Sequence, residues 1–220
     1  MRAELAGLSR RYSQTYDALA DQYEKKAAKS EQNAKSHLAH LARWLDPLAR
    51  VLDVGCGVGA SLSVINASGY SGVGIDVSPR MVDYARRRNP SHQVLCGDVF
   101  TAGLGDRYDC LYVQSFVHLF PSGDADAIFA RFHELLKPQG FLCISTTVSA
   151  TESEGWRKKE DYEGIHWRYR KSWTREAFFS LLRGHGFAVV DSWDNVDEVN
   201  KRWMTLVAKR TALDSRNHDL

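Results

Sequence analysis

Disulfides and a structural metal site are the first features this sequence argues against. Its four cysteines, Cys56, Cys96, Cys110 and Cys143, form no C-x-x-C pair. Each lies in or beside an apolar, strand-like run, so buried reduced thiols are expected rather than disulfides or metal ligands. No stretch of eighteen apolar residues occurs, so no membrane-spanning helix is expected. Residues Met1 to Glu4 lead into polar, helix-prone sequence rather than the apolar core of a secretory signal, which makes the cytoplasm the expected location. Charge of one sign is also scarce. The 29 Lys and Arg against 27 Asp and Glu leave a net +2, too weak a field to draw nucleic acid or a membrane surface. Repeats and low-complexity tracts are absent.

The 220 residues suit one domain with a full hydrophobic core. Helical periodicity governs residues 1–45, where Tyr16, Ala20, Tyr23 and Ala27 share a face, as do Leu38, Leu41 and Leu45. Asp46-Pro47 stops it. Beyond that point strand and helix alternate, the pattern of a parallel sheet covered on both faces. Strands are predicted over 50–54, 71–76, 92–96, 108–114 and 140–147, with helices near 60–68, 79–88 and 124–137. Ser78 as N-cap and Pro79 at the first helical position start the second helix. Residues 148–172 fit neither period, and Thr174 caps a helix running to about Arg183. Two closing strands, 187–193 and 203–208, are too near each other for a crossover and should pair antiparallel. The expected organisation is a helical lid over 1–45, a core domain over 46–210 with the 148–172 insertion, and a frayed tail over 211–220.

One segment says what the chain holds. Arg50-Val51-Leu52-Asp53-Val54 reads as a buried strand with a single carboxylate, and Gly55-Cys56-Gly57-Val58-Gly59 breaks it into a loop that lets backbone approach a ligand. Ala60 to Ile65 then opens a helix, which puts the ligand over a helix N-terminus. Gly55, Gly57 and Ala60 also satisfy the dinucleotide pattern G-x-G-x-x-G/A, with Asp76 about 20 residues on. Asp53 separates these readings, because a buried carboxylate repels a pyrophosphate and welcomes an ammonium group. Its competing role is purely structural, an acid bonding loop amides. Asp76 ends the next strand, where a carboxylate can accept both hydroxyls of a ribose, and Asp98 repeats the design one strand over.

The run Val51-Leu52-Asp53-Val54-Gly55-Cys56-Gly57 resembles motif I of the class I S-adenosylmethionine-dependent methyltransferases. Gly72 to Ser78, Leu95 to Val99, Tyr108 to His118 and Leu135 to Leu142 are similar to further motifs of that family, in its order. The last resembles its L-K-P-G-G turn, with Gln139 in place of a glycine. The resemblance covers about 50–208. It implies an α/β, Rossmann-like doubly wound sheet of seven strands ordered 3-2-1-4-5-7-6, strand 7 antiparallel, with N-terminal lid helices and a crevice at the carboxyl ends of strands 1 and 4. It implies S-adenosyl-L-methionine as cofactor, bound by Tyr23, Asp53, Gly55, Cys56, Gly57, Asp76, Val77, Met81, Asp98, Val99 and Gln114. In that scheme Asp53 helps hold the methionyl end, Asp76 the ribose and Asp98 the adenine amino group, with Val99 against the ring. The closing strand pair speaks against a nicotinamide oxidoreductase.

In-line attack on a sulfonium methyl asks mainly for positioning, and a hydroxyl or protonated amine acceptor also asks for a base. His118, after the fourth strand, and His166, in the ring- and guanidinium-rich Ile165 to Arg170, are the candidate catalytic residues. For His118 a loop histidine satisfied by backbone is the competing reading. His37, His40, His133 and His185 fall on helices or a turn and are expected to do no chemistry. Tyr16, Trp156, Tyr162, Trp167, Arg168 and Tyr169 are expected to bind the acceptor, with core packing the competing role for Tyr16 and Tyr23. Gln114 stands where nucleic-acid amino-methyltransferases carry an Asn/Asp-Pro-Pro-aromatic motif, and the metal-binding acid of catechol-type enzymes is missing near it. The expected activity is metal-independent methyl transfer to the nitrogen or oxygen of a small, partly aromatic or anionic metabolite. The expected state is a monomer or homodimer, with no nucleic-acid or membrane partner. A protein or RNA methyltransferase and a non-catalytic S-adenosylmethionine-binding protein are the alternatives.

Overall fold

The structure, a computed structural model, describes residues 3–105, 107–159, 162–198 and 200–212. Two helices, α1 (Ala3–Lys25) and α2 (Ala27–Leu41), precede β1 (Arg50–Val54), α3 (Ala60–Ala67), β2 (Ser71–Asp76), α4 (Pro79–Arg88), β3 (Val94–Cys96) and β4 (Tyr108–Val113). After two short 3-10 turns come α5 (Ala125–Leu135), β5 (Leu136–Thr147), β6 (Ser153–Lys158) and β7 (Trp167–Ser172). The chain closes with α6 (Arg175–Gly184), β8 (Phe187–Val196) and β9 (Arg202–Arg210). Both expected helix caps form. Ser78 Oγ accepts from the Met81 amide at 3.2 Å, and Thr174 Oγ1 from that of Ala177 at 3.2 Å.

Seven strands form one sheet in the order β3-β2-β1-β4-β5-β9-β8. Strands β1 to β5 run parallel, while β9 pairs antiparallel with both β5 and β8. This is the expected order with the last strand reversed. Side chains alternate across the sheet with period two. Leu52, Val54, Leu111, Val113, Leu142, Ile144 and Leu206 enter the core covered by α5 and α6. Val51, Cys110, Tyr112, Cys143 and Val207 enter the opposite core, under α2 and α3.

Three features depart from the sequence expectation. Cys96, expected buried, is exposed, because β3 is a three-residue edge strand that ends there. The other three thiols are buried, and all four are free. Segment 148–172, which showed no period, contains the antiparallel β6–β7 hairpin, pairing Trp156 with Tyr169 and Arg157 with Arg168. Trp156, Trp167 and Tyr169 share one face with Glu154, Lys158 and Lys171, opposite Arg157, Arg168 and Arg170, so charge on both faces hides the alternation. Gln139, in the turn where the resemblance places a glycine, holds φ at 65°, a left-handed conformation that costs a residue with a β-carbon. From residue 213 on, the expected tail lies outside the described residues. No helix among the described residues is long and apolar enough to cross a membrane.

Helix α1 lies over the carboxyl edge of the sheet and is tied down on three sides. Its Asp17 carboxylate accepts from Ser78 Oγ and from the Arg80 amide at 3.0 Å, while Asp21 holds the Arg80 guanidinium at 2.7 Å. Arg88 forks onto Glu24 at 2.7 and 3.2 Å. Across the edge, the Tyr12 hydroxyl donates to the Leu119 carbonyl. Gln22 exchanges two hydrogen bonds with the Glu163 backbone, at 3.2 and 2.8 Å. Helix α1 therefore touches α4, the turn after β4 and the 148–172 segment.

Candidate active site

The glycine loop leaves β1 with Gly55 and Gly57 at φ of 71° and 53°, backbone that a β-carbon opposes. At Gly55 that β-carbon would also lie 3.0 Å from the Phe116 ring. The loop is strapped to the end of β2. Amides of Gly55 and Cys56 both donate to the Ile75 carbonyl, at 2.9 and 3.0 Å, and the Gly57 amide donates to Asp76 Oδ2 at 2.9 Å. Asp76 Oδ1 accepts from the Ser78 amide at 2.9 Å. A carboxylate has about four acceptor positions, so lone pairs remain for a diol. Burial pushes Asp76 up to about 6, against the pull of the Ser78 and Gly57 amides.

Asp53 sits one layer below, 2% exposed, and its Oδ2 has no hydrogen-bond partner. Burial first, and then the Asp76 carboxylate, push it up to about 8. The loop amides of Gly55, Cys56 and Gly57 are spent on Ile75 and Asp76, so the purely structural role leaves the bare oxygen unexplained. A buried unpaired acceptor is costly, and a cation or strong donor relieves it.

Between the loop, the ends of β2 and β4, and helix α1 lies an open crevice. Tyr12, Tyr16 and Tyr23 of α1 roof it as a ladder of rings with centroids 6.1 and 5.8 Å apart. Burial raises the Tyr16 and Tyr23 hydroxyls above their ordinary range, so both stay neutral. Phe116, Leu119 and Phe120 form the far wall. In the floor, Asp98 Oδ1 accepts from the Phe100 amide at 2.9 Å. Gln114 Nε2 donates to the Cys143 carbonyl at 3.3 Å, while its Oε1 is buried without a partner. Ser115 takes φ of 56°, its amide on Ser145 Oγ at 3.1 Å, and turns the chain out of β4.

Of the predicted cofactor residues, Tyr23, Gly55, Gly57, Asp76, Val77, Met81, Asp98, Val99 and Gln114 line this crevice, whereas Asp53 and Cys56 do not. Cys56 offers only backbone, since its thiol packs inward where a β-carbon at Gly74 would meet it at 2.9 Å. Of the acceptor set, Tyr16 alone lines the crevice. The others stand behind the roof. Tyr162 stacks on Tyr23 at 4.7 Å, Arg168 hydrogen-bonds Tyr16, and the Tyr169 amide donates to the Tyr12 hydroxyl at 3.3 Å. Trp156 lies edge-on to Tyr169 and 3.7 Å from the Arg11 guanidinium, while Trp167 is exposed.

Both histidines depart from their expected place. His118 does not face the crevice. It is 1% exposed, with neither ring nitrogen bonded and its ring edge-on to Trp203 at 5.3 Å. A 3-10 turn, Val117–Leu119, carries it, and each step there rotates the side chain by about a third of a turn, so Leu119 faces the crevice and His118 does not. Burial, then the Arg170 and Arg168 guanidinium groups, hold it well below the usual histidine range, and it is neutral. His166 lies before β7, its Nε2 on the Glu163 carbonyl at 3.1 Å, away from the crevice wall. Wall residues that sequence reasoning missed include Tyr12, Ser115, Phe116, Leu119 and Phe120. Tyr12 was readable, one helical turn before Tyr16 on the same face. The others follow a strand in a stretch without period.

Residues 20–192 match a family model described as a methyltransferase domain. The chain is 32% identical over 143 residues to the dTDP-3-amino-3,6-dideoxy-alpha-D-glucopyranose N,N-dimethyltransferase of Streptomyces fradiae, across 63% of this chain and 56% of that one. It is 30% identical over 108 residues to the malonyl-[acyl-carrier protein] O-methyltransferase of Serratia marcescens, across 49% and 42% of the two chains. The chain thus spans about half the length of these curated relatives. Among solved structures, the 1,6-didemethyltoxoflavin-N1-methyltransferase of Burkholderia thailandensis holds 1,6-didemethyltoxoflavin and S-adenosylhomocysteine. It matches with a TM-score of 0.72 over 96% of this chain and 92% of that one, at 20% identity, a likeness of fold.

Proposed function

Because the chain belongs to this methyltransferase-domain family, we propose that it transfers the methyl group of S-adenosyl-L-methionine to a nitrogen or oxygen of a small, partly aromatic or anionic metabolite, without a metal. One observation carries the cofactor assignment: a buried carboxylate oxygen of Asp53 without a partner, beneath a glycine loop at the carboxyl edge of the sheet. The residues present suit that cofactor. Asp53 holds a bare oxygen one layer beneath the glycine loop that an ammonium group would relieve, Asp76 keeps lone pairs for ribose hydroxyls, and Asp98 with Val99 offers an acceptor and an apolar face to a base. Neutral rings of Tyr16 and Tyr23 favour a cationic sulfur nearby.

When bound, the cofactor supplies an electrophilic methyl group. The chain's own part is to hold the acceptor in line and to keep water out. The tyrosine roof with Phe116 and Phe120 provides the dry walls. A neutral amine acceptor asks for positioning alone, and His118, buried and turned away from the crevice, keeps its neutral ring against Trp203. His166, engaged with Glu163, instead steadies the segment that Gln22 of the lid also grips.

Calorimetry with S-adenosylhomocysteine tests the assignment. Asp76→Ala leaves buried hydroxyls and loop amides unpaired and should cost about 1–3 kcal/mol of affinity. Unchanged affinity in a variant with native circular dichroism would remove Asp76 from the site and the cofactor reading with it. Turnover to S-adenosylhomocysteine with a mixture of small acceptors checks the transfer, and cofactor binding without turnover on any of them would refute it.

A further inference from the structure

The crevice changes character along its length. Near the glycine loop, Tyr16 and Tyr23 pack with Val58 and Met81, and the carboxylates of Asp76 and Asp98 take the Gly57, Ser78 and Phe100 amides. Past β4 the wall is aromatic. The Phe120 ring joins three others, with centroids 5.9 Å from Tyr12, 4.9 Å from Phe116 and 6.2 Å from Phe100, the first and last of them edge-on. Leu119 completes this wall, and so does Ser9, about one helical turn before Tyr12. None of Ser9, Tyr12, Phe116, Leu119 and Phe120 belongs to the set expected to hold the cofactor, so this end of the crevice is left for the acceptor.

That end offers neither a base nor a counter-ion. Among the described residues that line the crevice, Asp76 and Asp98 are the only charged groups, and no Lys, Arg, His or Cys joins them. Burial holds the Tyr12, Tyr16 and Tyr23 hydroxyls in their neutral form. The Tyr12 hydroxyl is committed besides, donating to the Leu119 carbonyl and accepting from the Tyr169 amide. A carboxylate or an alkylammonium brought against these rings loses its water and gains no partner of opposite charge. A hydroxyl acceptor, which must give up a proton during transfer, finds no side chain in the aromatic wall to take it.

We propose that the methyl acceptor is a flat, uncharged arylamine or nitrogen heterocycle that lies against the Tyr12, Phe116 and Phe120 rings and is methylated on nitrogen. The proposal rests on the methyltransferase reading and narrows its acceptor to one class. Arylamines and weakly basic ring nitrogens keep a free lone pair at neutral pH, so transfer to them needs positioning and no base. Their flat faces and polarised edges suit edge-on and offset contact with protein rings. In the transfer the nitrogen lone pair forms the new N–C bond while the electron pair of the C–S bond passes to sulfur. The positive charge thereby moves from sulfur to nitrogen. On a ring nitrogen it stays, and the aromatic wall steadies it until release. An arylamine instead gives its proton to water as it leaves.

The test uses the full chain and four probes of similar size: quinoline, 1-naphthylamine, 1-naphthol and 1-naphthoate. With S-adenosylhomocysteine in excess, calorimetry should show saturable quinoline binding and at least tenfold weaker binding of 1-naphthoate. With S-adenosylmethionine, quinoline or 1-naphthylamine should be methylated about a hundredfold faster than 1-naphthol, the usual worth of a base that is missing. At saturating concentrations of both substrates, kcat should stay level between about pH 6.5 and 9. Phe120→Leu should weaken quinoline binding about fivefold, the worth of one ring contact, while changing S-adenosylhomocysteine affinity less than twofold. Ser9→Trp, which fills the same end from α1, gives the same readout should Phe120→Leu fail to fold. Naphthoate binding as tightly as quinoline, no methylation of either nitrogen probe, naphthol reacting as fast as they do, or a tenfold rise of kcat with pH overturns the proposal. Failure of S-adenosylhomocysteine to bind would instead overturn the methyltransferase reading, and quinoline titrated without it still decides whether the aromatic wall takes a flat neutral ring.

Discussion

Cofactor binding should expel a proton from Asp53. In the free protein burial and the neighbouring Asp76 push its carboxyl up to about 8, so at pH 7 about nine molecules in ten hold it protonated. A cation delivered to the unpaired Oδ2 restores the ionised form, since an opposite charge at contact lowers a carboxyl by about 1–3 units. Binding at pH 7 should then release roughly 0.4–0.9 of a proton. Asp76, at about 6, is already mostly ionised there and adds little. The assay is calorimetry of S-adenosylhomocysteine at pH 7 in three buffers of different ionisation enthalpy, whose slope counts protons. The slope should fall away at pH 9.5, where Asp53 is ionised in both states. Asp53→Asn should abolish the release and weaken binding by about 1.5–3 kcal/mol, the worth of a hydrogen bond to a charged group. Stability gives the converse sign. A carboxyl raised on folding stabilises fully below its unfolded value near 4, and that contribution is lost as pH rises through 8. The Asn variant should therefore melt higher than wild type above pH 8. A zero slope at pH 7 with ligand bound, or one that the Asn variant retains, would refute the reasoning.

Three further outcomes are expected. Replacing Gln139, at φ of 65°, with glycine should relieve backbone strain and stabilise the fold by about 1 kcal/mol, or about 2–4 °C in Tm; an unchanged or lower Tm contradicts the strain. His37, buried with Nδ1 2.9 Å from the Tyr112 hydroxyl, is lowered to about 4 by burial and then by His40. Its neutral form is kept in the fold, so stability present above 6.5 should drain by about 3 kcal/mol as pH falls from 6.5 to 4, and a His37→Leu variant melted across that range should lose less. Tyr12→Phe removes the hydroxyl that joins the Leu119 carbonyl to the Tyr169 amide, at about 1–3 kcal/mol; hydrogen exchange in α1 should quicken, and unaltered protection would show that the lid is held elsewhere.

The sheet and the cofactor half of the crevice were legible before any coordinates. The elements, the closing hairpin and the caps follow from period-two and 3.6-residue patterns and the strand order from the motif resemblance, and Asp53, Gly55, Gly57, Asp76 and Asp98 sit on or just past strands that parallel pairing forces to one edge. Such features depend on neighbours in sequence and on a backbone with few choices. The segment behind the roof was not legible, because its place depends on what distant segments do to one another. Residues 153–158 and 167–172 show no alternation, yet they pair and stand behind the roof built by Tyr12, Tyr16 and Tyr23. One 3-10 turn points His118 away from the crevice and toward Arg170 and Trp203. Sequence by itself determined where backbone can meet a ligand. Only the tertiary structure decided which oxygen of Asp53 is left bare, which histidine is neutral and where the cations gather, because burial and charge are properties of packed neighbours that lie up to 157 positions apart in the chain.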